Sequence, residues 1–140
     1  LGPGRATAYG RELPAYFDAA NERTLVAVQV ETASGLEHLD EITTDGDVDI
    51  VFIGPGDLAA SLGASLRAPS REFEQTVSEM VARVQAAGAV AGIFAANPEA
   101  AARWIEQGVR LVIMGSDLGL LAASAADAVA QVRNRTGRGS

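Results

Sequence analysis

The chain of 140 residues contains no cysteine, no lysine and a single histidine. Without cysteine it has no disulfide framework, no thiolate metal site and no thiol nucleophile. Without lysine it cannot supply the amine of a Schiff base, which excludes that covalent route for this chain. Because histidine and cysteine are the usual zinc ligands, their scarcity also argues against a zinc site.

Long hydrophobic runs and an excess of positive charge are lacking as well. No apolar run reaches the length of a membrane span, and the N-terminus has no signal-peptide pattern, so we expect a protein of the cytoplasm. The formal charge of −7 argues against nucleic acid or an anionic membrane as a partner. With 48% hydrophobic residues, the chain can form one globular domain with a sizeable core.

Strand and helix patterns alternate along the chain. Short apolar runs that are rich in β-branched residues predict strands at 25–31, 48–53, 89–94 and 109–114. Amphipathic spacing and capping residues predict helices at 13–22, 34–44, 71–87, 99–107 and 118 to about 133. We expect Ser70, Asn97 and Asp117 to cap three of these helices, and residues 54–63 to form a loop.

Four strands that are each followed by a helix imply right-handed crossovers and a parallel sheet. Two α/β architectures fit: a small doubly wound sheet, or part of a TIM (β/α)₈ barrel, which typically needs about 250 residues. Polar and glycine-rich segments recur at the strand C-terminal ends, which favours the C-terminal half of a barrel in residues 1–135, followed by a polar tail at 136–140. Such a half barrel leaves two unpaired edges and an uncovered inner face, so we expect further sequence or a second copy to complete it.

Two of the predicted strands lead directly into carboxylates. Gln29 and Glu31 are two residues apart at the end of the first strand and therefore point to the same face. Asp57 follows the second strand, so it and Glu31 offer two hard oxygen ligands of the kind that Mg²⁺ or Mn²⁺ prefers. The alternative is that each acid only caps the following helix.

Between the second strand and its carboxylate lies the segment Gly54-Pro55-Gly56. Glycine lets main-chain N–H groups approach an anion closely, and we expect those of Gly56, Asp57 and Leu58 to form such a cradle. The alternative is that the glycines only permit a tight turn.

The segments Gln29-Val30-Glu31-Thr32 and Phe52-Ile53-Gly54-Pro55-Gly56-Asp57-Leu58, with Gly92-Ile93 and Gly115-Ser116-Asp117 after them, resemble the HpcH/HpaI aldolase family. These are metal-dependent class II pyruvate aldolases of the phosphoenolpyruvate/pyruvate barrel superfamily, and the resemblance covers nearly the whole chain. It implies reversible aldol cleavage of 4-hydroxy-2-oxo acids, such as 2-dehydro-3-deoxy sugar acids, to pyruvate and an aldehyde. A divalent cation would stabilise the enolate that forms as the carbon–carbon bond breaks.

The resemblance also implies roles for individual residues. Glu31 and Asp57 would bind the metal ion, which would be Mg²⁺ or Mn²⁺ with Co²⁺ as a further candidate. Gln29 would contact the pyruvyl part of the substrate, and the main chain at Gly56 and Asp57 would hold its carboxylate. The catalytic base, a histidine, and a catalytic arginine lie in the first half of the family's barrel, so no catalytic residue is expected here. His38, in the middle of a predicted helix, is not a candidate base.

The family resemblance further implies a homo-oligomer in which the last helix packs on a neighbouring subunit. It leaves Phe94 either lining the aldehyde pocket or packing in the core. On its own the chain would bind ligands better than it catalyses. Two other functions remain open: a citrate-lyase-like acyl-CoA lyase on the same barrel, and a catalytically incomplete fragment that only binds.

Overall fold

A computed structural model of the protein describes residues 4–65 and 70–137. Its strands are β1 (Ala27–Val30), β2 (Ile50–Ile53), β3 (Val90–Ala95) and β4 (Leu111–Met114). Its helices are α1 (Leu13–Arg23), α2 (Ala33–Glu37), α3 (Leu39–Thr44), α4 (Pro55–Ser61), α5 (Arg71–Ala86), α6 (Pro98–Glu106) and α7 (Asp117–Thr136), and a 3₁₀ segment, Arg5–Gly10, precedes them. None of the described helices is long and apolar enough to span a membrane.

The four strands form one parallel sheet in the order β1-β2-β3-β4, which is their order in the chain. The register aligns Val30 with Ile53, Ile53 with Ile93, and Ile93 with Val112 across the sheet. A doubly wound sheet would reverse its strand order part-way. The sequential order is therefore that of a barrel segment, with β1 and β4 as its two edges.

One face of this sheet carries the hydrophobic core. Val30, Ile53 and Ile93 are at most 2% exposed, and they pack with buried residues of helices α3, α4 and α5. On the other face, which would be the inner face of a barrel, Gln29, Phe94 and Ile113 are exposed. The predicted alternation of side-chain direction in β1 is confirmed, because Val30 faces the helices and Gln29 lies on the opposite face of the sheet.

Helix caps and the stripe on α5 agree with the sequence patterns. The Ser70 hydroxyl accepts a hydrogen bond from the Phe73 N–H, and the Asn97 side chain accepts one from the Ala100 N–H. The amphipathic spacing that predicts α5 corresponds to a stripe of five buried apolar side chains: Phe73, Val77, Met80, Val81 and Val84.

Several boundaries were predicted wrongly. Strands β1, β2 and β4 are shorter than their apolar runs, and residues 54–63 are not a loop, because helix α4 begins at Pro55. The helix predicted at 34–44 is broken at His38, whose φ of −95° and ψ of 14° end α2 and start α3. The cap of α7 is Ser116, whose hydroxyl accepts from the Gly119 N–H, and Asp117 is the first helical residue.

Helix α7 stands apart from the core. None of its residues is buried, and Leu118 and Leu121 are 74% and 69% exposed. The helix continues through Thr136, one residue into the stretch predicted as a polar tail, and residues 138–140 lie outside the described residues.

Candidate metal centre

The two predicted metal ligands follow neighbouring strands that end side by side. Val30 pairs with Ile53, and the Gly54 N–H donates to the Val30 carbonyl oxygen at 3.1 Å. Glu31 and Gly54, the next residue of each strand, therefore leave the sheet together at its C-terminal edge. In parallel α/β folds this edge is where ligands bind.

Gly54 provides the space in which the side chains of β1 lie. The Gln29 side-chain amide donates to the Glu31 carboxylate, Nε2 to Oε2, at 2.5 Å. A methyl group built on Gly54 would lie 2.9 Å from Gln29 Nε2 and 3.0 Å from both Cβ and Oε2 of Glu31. The absence of a side chain at Gly54 is thus a steric requirement of this arrangement.

Asp57 lies in the first turn of α4, three residues after Gly54. It is exposed, and within the described residues its carboxylate makes no hydrogen bond or ion pair. The Leu58 N–H donates to the Gly54 carbonyl oxygen at 3.0 Å. The predicted anion cradle is therefore wrong for Leu58, because its N–H already donates within the helix. The N–H groups of Gly56 and Asp57 precede this first helical hydrogen bond and are not used by it.

A second hydrogen bond joins the two ligand-bearing segments. The Ser61 hydroxyl, at the end of α4, accepts from the Ala33 N–H, at the start of α2, at 2.9 Å. Ser61 follows Asp57 by four residues and so shares its side of the helix. Ser61 could not be predicted from the sequence, because its partner is a main-chain group and leaves no side-chain signal.

The residues present suit a hard dication. Among the described residues no cluster of three or more histidine, cysteine or acidic side chains could hold a metal ion. Glu31 and Asp57 supply two carboxylates at one edge, and the half-buried Glu31 is held against Gly54 by Gln29. Mg²⁺ is commonly held by one or two carboxylates, with water and substrate oxygens completing its shell, so this donor set fits it.

His38, the single histidine, is exposed at the junction of α2 and α3. Its Nδ1 lies 2.9 Å from the Ser34 carbonyl oxygen, and this hydrogen bond raises the pKa of the imidazole above its ordinary value of 6.5, with a further contribution from the charge of Glu41. It belongs to the helical layer, as the sequence analysis expected, and not to the strand ends.

A cavity of about 270 Å³ lies beside the start of α4. Phe94, Pro55, Gly56 and Trp104 are among the residues that line it. Phe94 is 39% exposed, so it is not part of the buried core. Whether it contacts an aldehyde stays a prediction.

The sequence and the fold also match known proteins. The family model described as HpcH/HpaI aldolase/citrate lyase matches residues 5–124. The chain belongs to this family. It is 37% identical over 122 residues to the hydroxypyruvate/pyruvate aldolase of Roseovarius nubinhibens, and 38% identical over 120 residues to the 5-keto-4-deoxy-D-glucarate aldolase of Salmonella newport. These alignments cover 87% and 86% of the chain but 48% and 46% of the relatives, so the chain spans about half their length.

A solved structure extends the match to three dimensions. The HpcH/HpaI aldolase/citrate lyase family protein of Burkholderia cenocepacia J2315 superposes with a TM-score of 0.85 and 35% identity, over 95% of this chain and 51% of that one. The predicted fold class, four parallel strand–helix units of a barrel-type aldolase, is confirmed.

Proposed function

We propose that this chain supplies the metal-binding and pyruvate-binding half of the active site of a class II aldolase. The reaction is cleavage and condensation of 4-hydroxy-2-oxo acids, of the 2-dehydro-3-deoxy sugar acid type, with pyruvate and an aldehyde as products. The observation that carries the proposal is the placement of Glu31 and Gln29 against Gly54, three residues before Asp57. The aldolase names of two relatives support the reaction type.

In this proposal Glu31 and Asp57 hold a divalent metal ion, Mg²⁺ or Mn²⁺ with Co²⁺ as a further candidate. When bound, the ion supplies a positive charge that stabilises the negative charge developing on the 2-oxo group as the carbon–carbon bond breaks. Gln29 Nε2 keeps one Glu31 oxygen oriented. In the proposal, the Gln29 side chain also contacts the pyruvyl group. The N–H groups of Gly56 and Asp57 bind the substrate carboxylate at the start of α4.

The acid–base step requires groups from outside this chain. His38 is bound to the Ser34 carbonyl oxygen on the helical layer, so it does not serve as the base. We therefore expect the catalytic histidine and arginine in a segment that precedes these residues in the whole protein, and we expect this chain alone to be inactive.

Assembly and location are also proposals. The exposed leucines of α7 support a homo-oligomer in which this helix packs on a neighbouring subunit. Residues 1–135 would form the C-terminal half of the barrel, and the enzyme would act on small molecules in the cytoplasm.

The experiment is a pyruvate-release assay on the full-length protein, with and without EDTA. We expect EDTA to abolish pyruvate release and Mg²⁺ or Mn²⁺ to restore it. Glu31→Ala and Asp57→Ala should each lower the rate more than about 100-fold, because even groups that only orient a ligand are worth about 10–100-fold. Glu37→Ala, which removes an exposed carboxylate of α2, is the matched control.

Activity that survives EDTA and both substitutions would exclude this mechanism. The second candidate function, an acyl-CoA lyase, is favoured by the words citrate lyase in the family's description. Cleavage of a CoA thioester, in place of a free 4-hydroxy-2-oxo acid, would identify it. Ligand binding by a full-length protein that cleaves neither substrate would identify the non-catalytic alternative.

A further inference from the structure

We propose that Ser61 is a positioning residue for the metal centre and that its hydroxyl fixes the distance between Glu31 and Asp57. The inference rests on the proposed function, because it concerns the two carboxylates assigned there to the metal ion. In the proposed function, Ser61 itself contacts neither the metal ion nor the substrate.

The geometry is a closed ring of chain and hydrogen bonds. On one side the Gly54 N–H donates to the Val30 carbonyl oxygen at 3.1 Å, before either carboxylate. On the other side the Ala33 N–H donates to the Ser61 hydroxyl at 2.9 Å, after both of them. The segments that carry Glu31 and Asp57 are therefore joined to each other by one hydrogen bond before the two carboxylates and one after them.

Of these two hydrogen bonds, loss of the one to Ser61 would leave the bond between Gly54 and Val30, at the end of the sheet. Helix α4 has seven residues, and the Ser61 side chain lies one turn beyond Asp57 on the same side of it. The hydrogen bond that Ser61 accepts from Ala33, in the segment after Glu31, therefore restrains rotation of this helix about its axis. Loss of the bond should let Asp57 move relative to Glu31 while the buried core residue Leu58 keeps α4 in place.

The bond can be removed from either partner. Ser61→Ala removes the acceptor, and Ala33→Pro removes the donor. Proline suits this position, because Ala33 is the first residue of α2, and Thr32 before it is already extended, with φ −132° and ψ 158°. Ser61→Thr keeps the hydroxyl.

The test is Mn²⁺ titration of the full-length protein, with free Mn²⁺ measured by electron paramagnetic resonance. We expect Ser61→Ala and Ala33→Pro each to raise the Kd for Mn²⁺ about tenfold, as loss of groups that orient metal ligands does. The double variant should be no weaker than either single one, because both remove the same bond. Ser61→Thr should bind Mn²⁺ as the wild type does, as should Ser78→Ala, whose hydroxyl donates to the Glu74 carbonyl oxygen within α5.

A Kd for Ser61→Ala equal to that of the wild type, or additive effects in the double variant, would overturn the inference. If thermal denaturation showed that Ser61→Ala does not fold, the Kd of Ala33→Pro for Mn²⁺ would test the inference instead. Failure of the proposed function would give a different result. The wild type would then show no saturable Mn²⁺ binding, or Glu31→Ala would not weaken that binding. Either result would also overturn the inference about Ser61.

Discussion

Gly54, the residue that follows β2, lies against the side chains of the candidate site. A Cβ there would meet Gln29 Nε2 at 2.9 Å and Glu31 Oε2 at 3.0 Å. Both atoms are the ends of flexible side chains and can move aside, whereas Glu31 Cβ, also 3.0 Å away, has to shift by a few tenths of an ångström. We therefore expect Gly54→Ala to fold but to weaken Mn²⁺ binding about tenfold or more, as measured by calorimetric titration.

Gly46→Ala is the matched control for this substitution. Gly46 lies in the turn before β2, and a Cβ there would meet nothing within 4 Å. The control should bind Mn²⁺ as the wild type does. Equal Mn²⁺ affinity of Gly54→Ala and the wild type would show that the contacts with Gln29 and Glu31 do not position the carboxylate.

His38 gives a prediction about pH. Because its hydrogen bond to Ser34 raises the pKa above 6.5, the folded protein holds this proton more tightly than the unfolded chain. The resulting stabilisation is fully present below pH 6.5 and is lost as the pH rises through the pKa of the folded state. An NMR titration of the imidazole should give a midpoint above 6.5 in the native protein, and a midpoint at or below 6.5 would contradict the assignment.

Sequence patterns predicted the direction of side chains along a strand better than the contacts between segments. The spacing of Gln29 and Glu31 placed both on one face, because side-chain direction in a strand alternates strictly. The roles of Gly54 and Ser61 were not predictable, since they depend on distances between segments that are more than 20 residues apart in the sequence. The donors in the anion cradle were mispredicted at Leu58 because the first hydrogen bond of α4 begins one turn earlier than the sequence suggested.

At the scale of elements, α5 was the easiest to predict and α4 the hardest. Helix α5 has 16 residues, a serine cap and a stripe of five buried side chains, which are consistent signals. Helix α4 has seven residues and contains Gly56 and begins at Pro55, both of which indicate a turn when they are considered alone. Proline at the first helical position is nevertheless favourable, and the buried Leu58 and Ala59 hold the helix against the core.

The burial of α5 gives a prediction about stability. Met80 is fully buried in the layer between the helices and the sheet. Met80→Ala should lower the free energy of unfolding by about 2–5 kcal/mol, because it removes apolar contacts and leaves a cavity. Urea denaturation of the full-length protein would measure this, and the exposed neighbour Glu79 offers the control Glu79→Ala, which should change it by less than about 0.5 kcal/mol.

At the scale of the whole molecule, α7 carries an apolar stripe that no other described residue buries. Leu118, Leu121, Val129 and Val132 recur at helical spacing and are all at least 50% exposed. A stripe of this kind on a 20-residue helix is typical of an interface.

In the proposed homo-oligomer, where α7 packs on a neighbouring subunit, Leu121→Glu should lower the number of subunits of the full-length protein, as measured by light scattering. Gln131→Glu places the same charge on the same helix away from the stripe and should leave the molar mass unchanged. An unaltered mass for both variants would show that α7 does not hold the subunits together.

The order of the strands in the sheet has a consequence for how the chain is made. Because β1, β2, β3 and β4 pair in the order in which they occur in the sequence, each new strand joins an edge that already exists. No strand has to be inserted between two that have already paired, and each pairing closes a loop that contains only one or two helices. The sheet can therefore assemble stepwise as the chain leaves the ribosome, because each strand can pair as soon as it is synthesised.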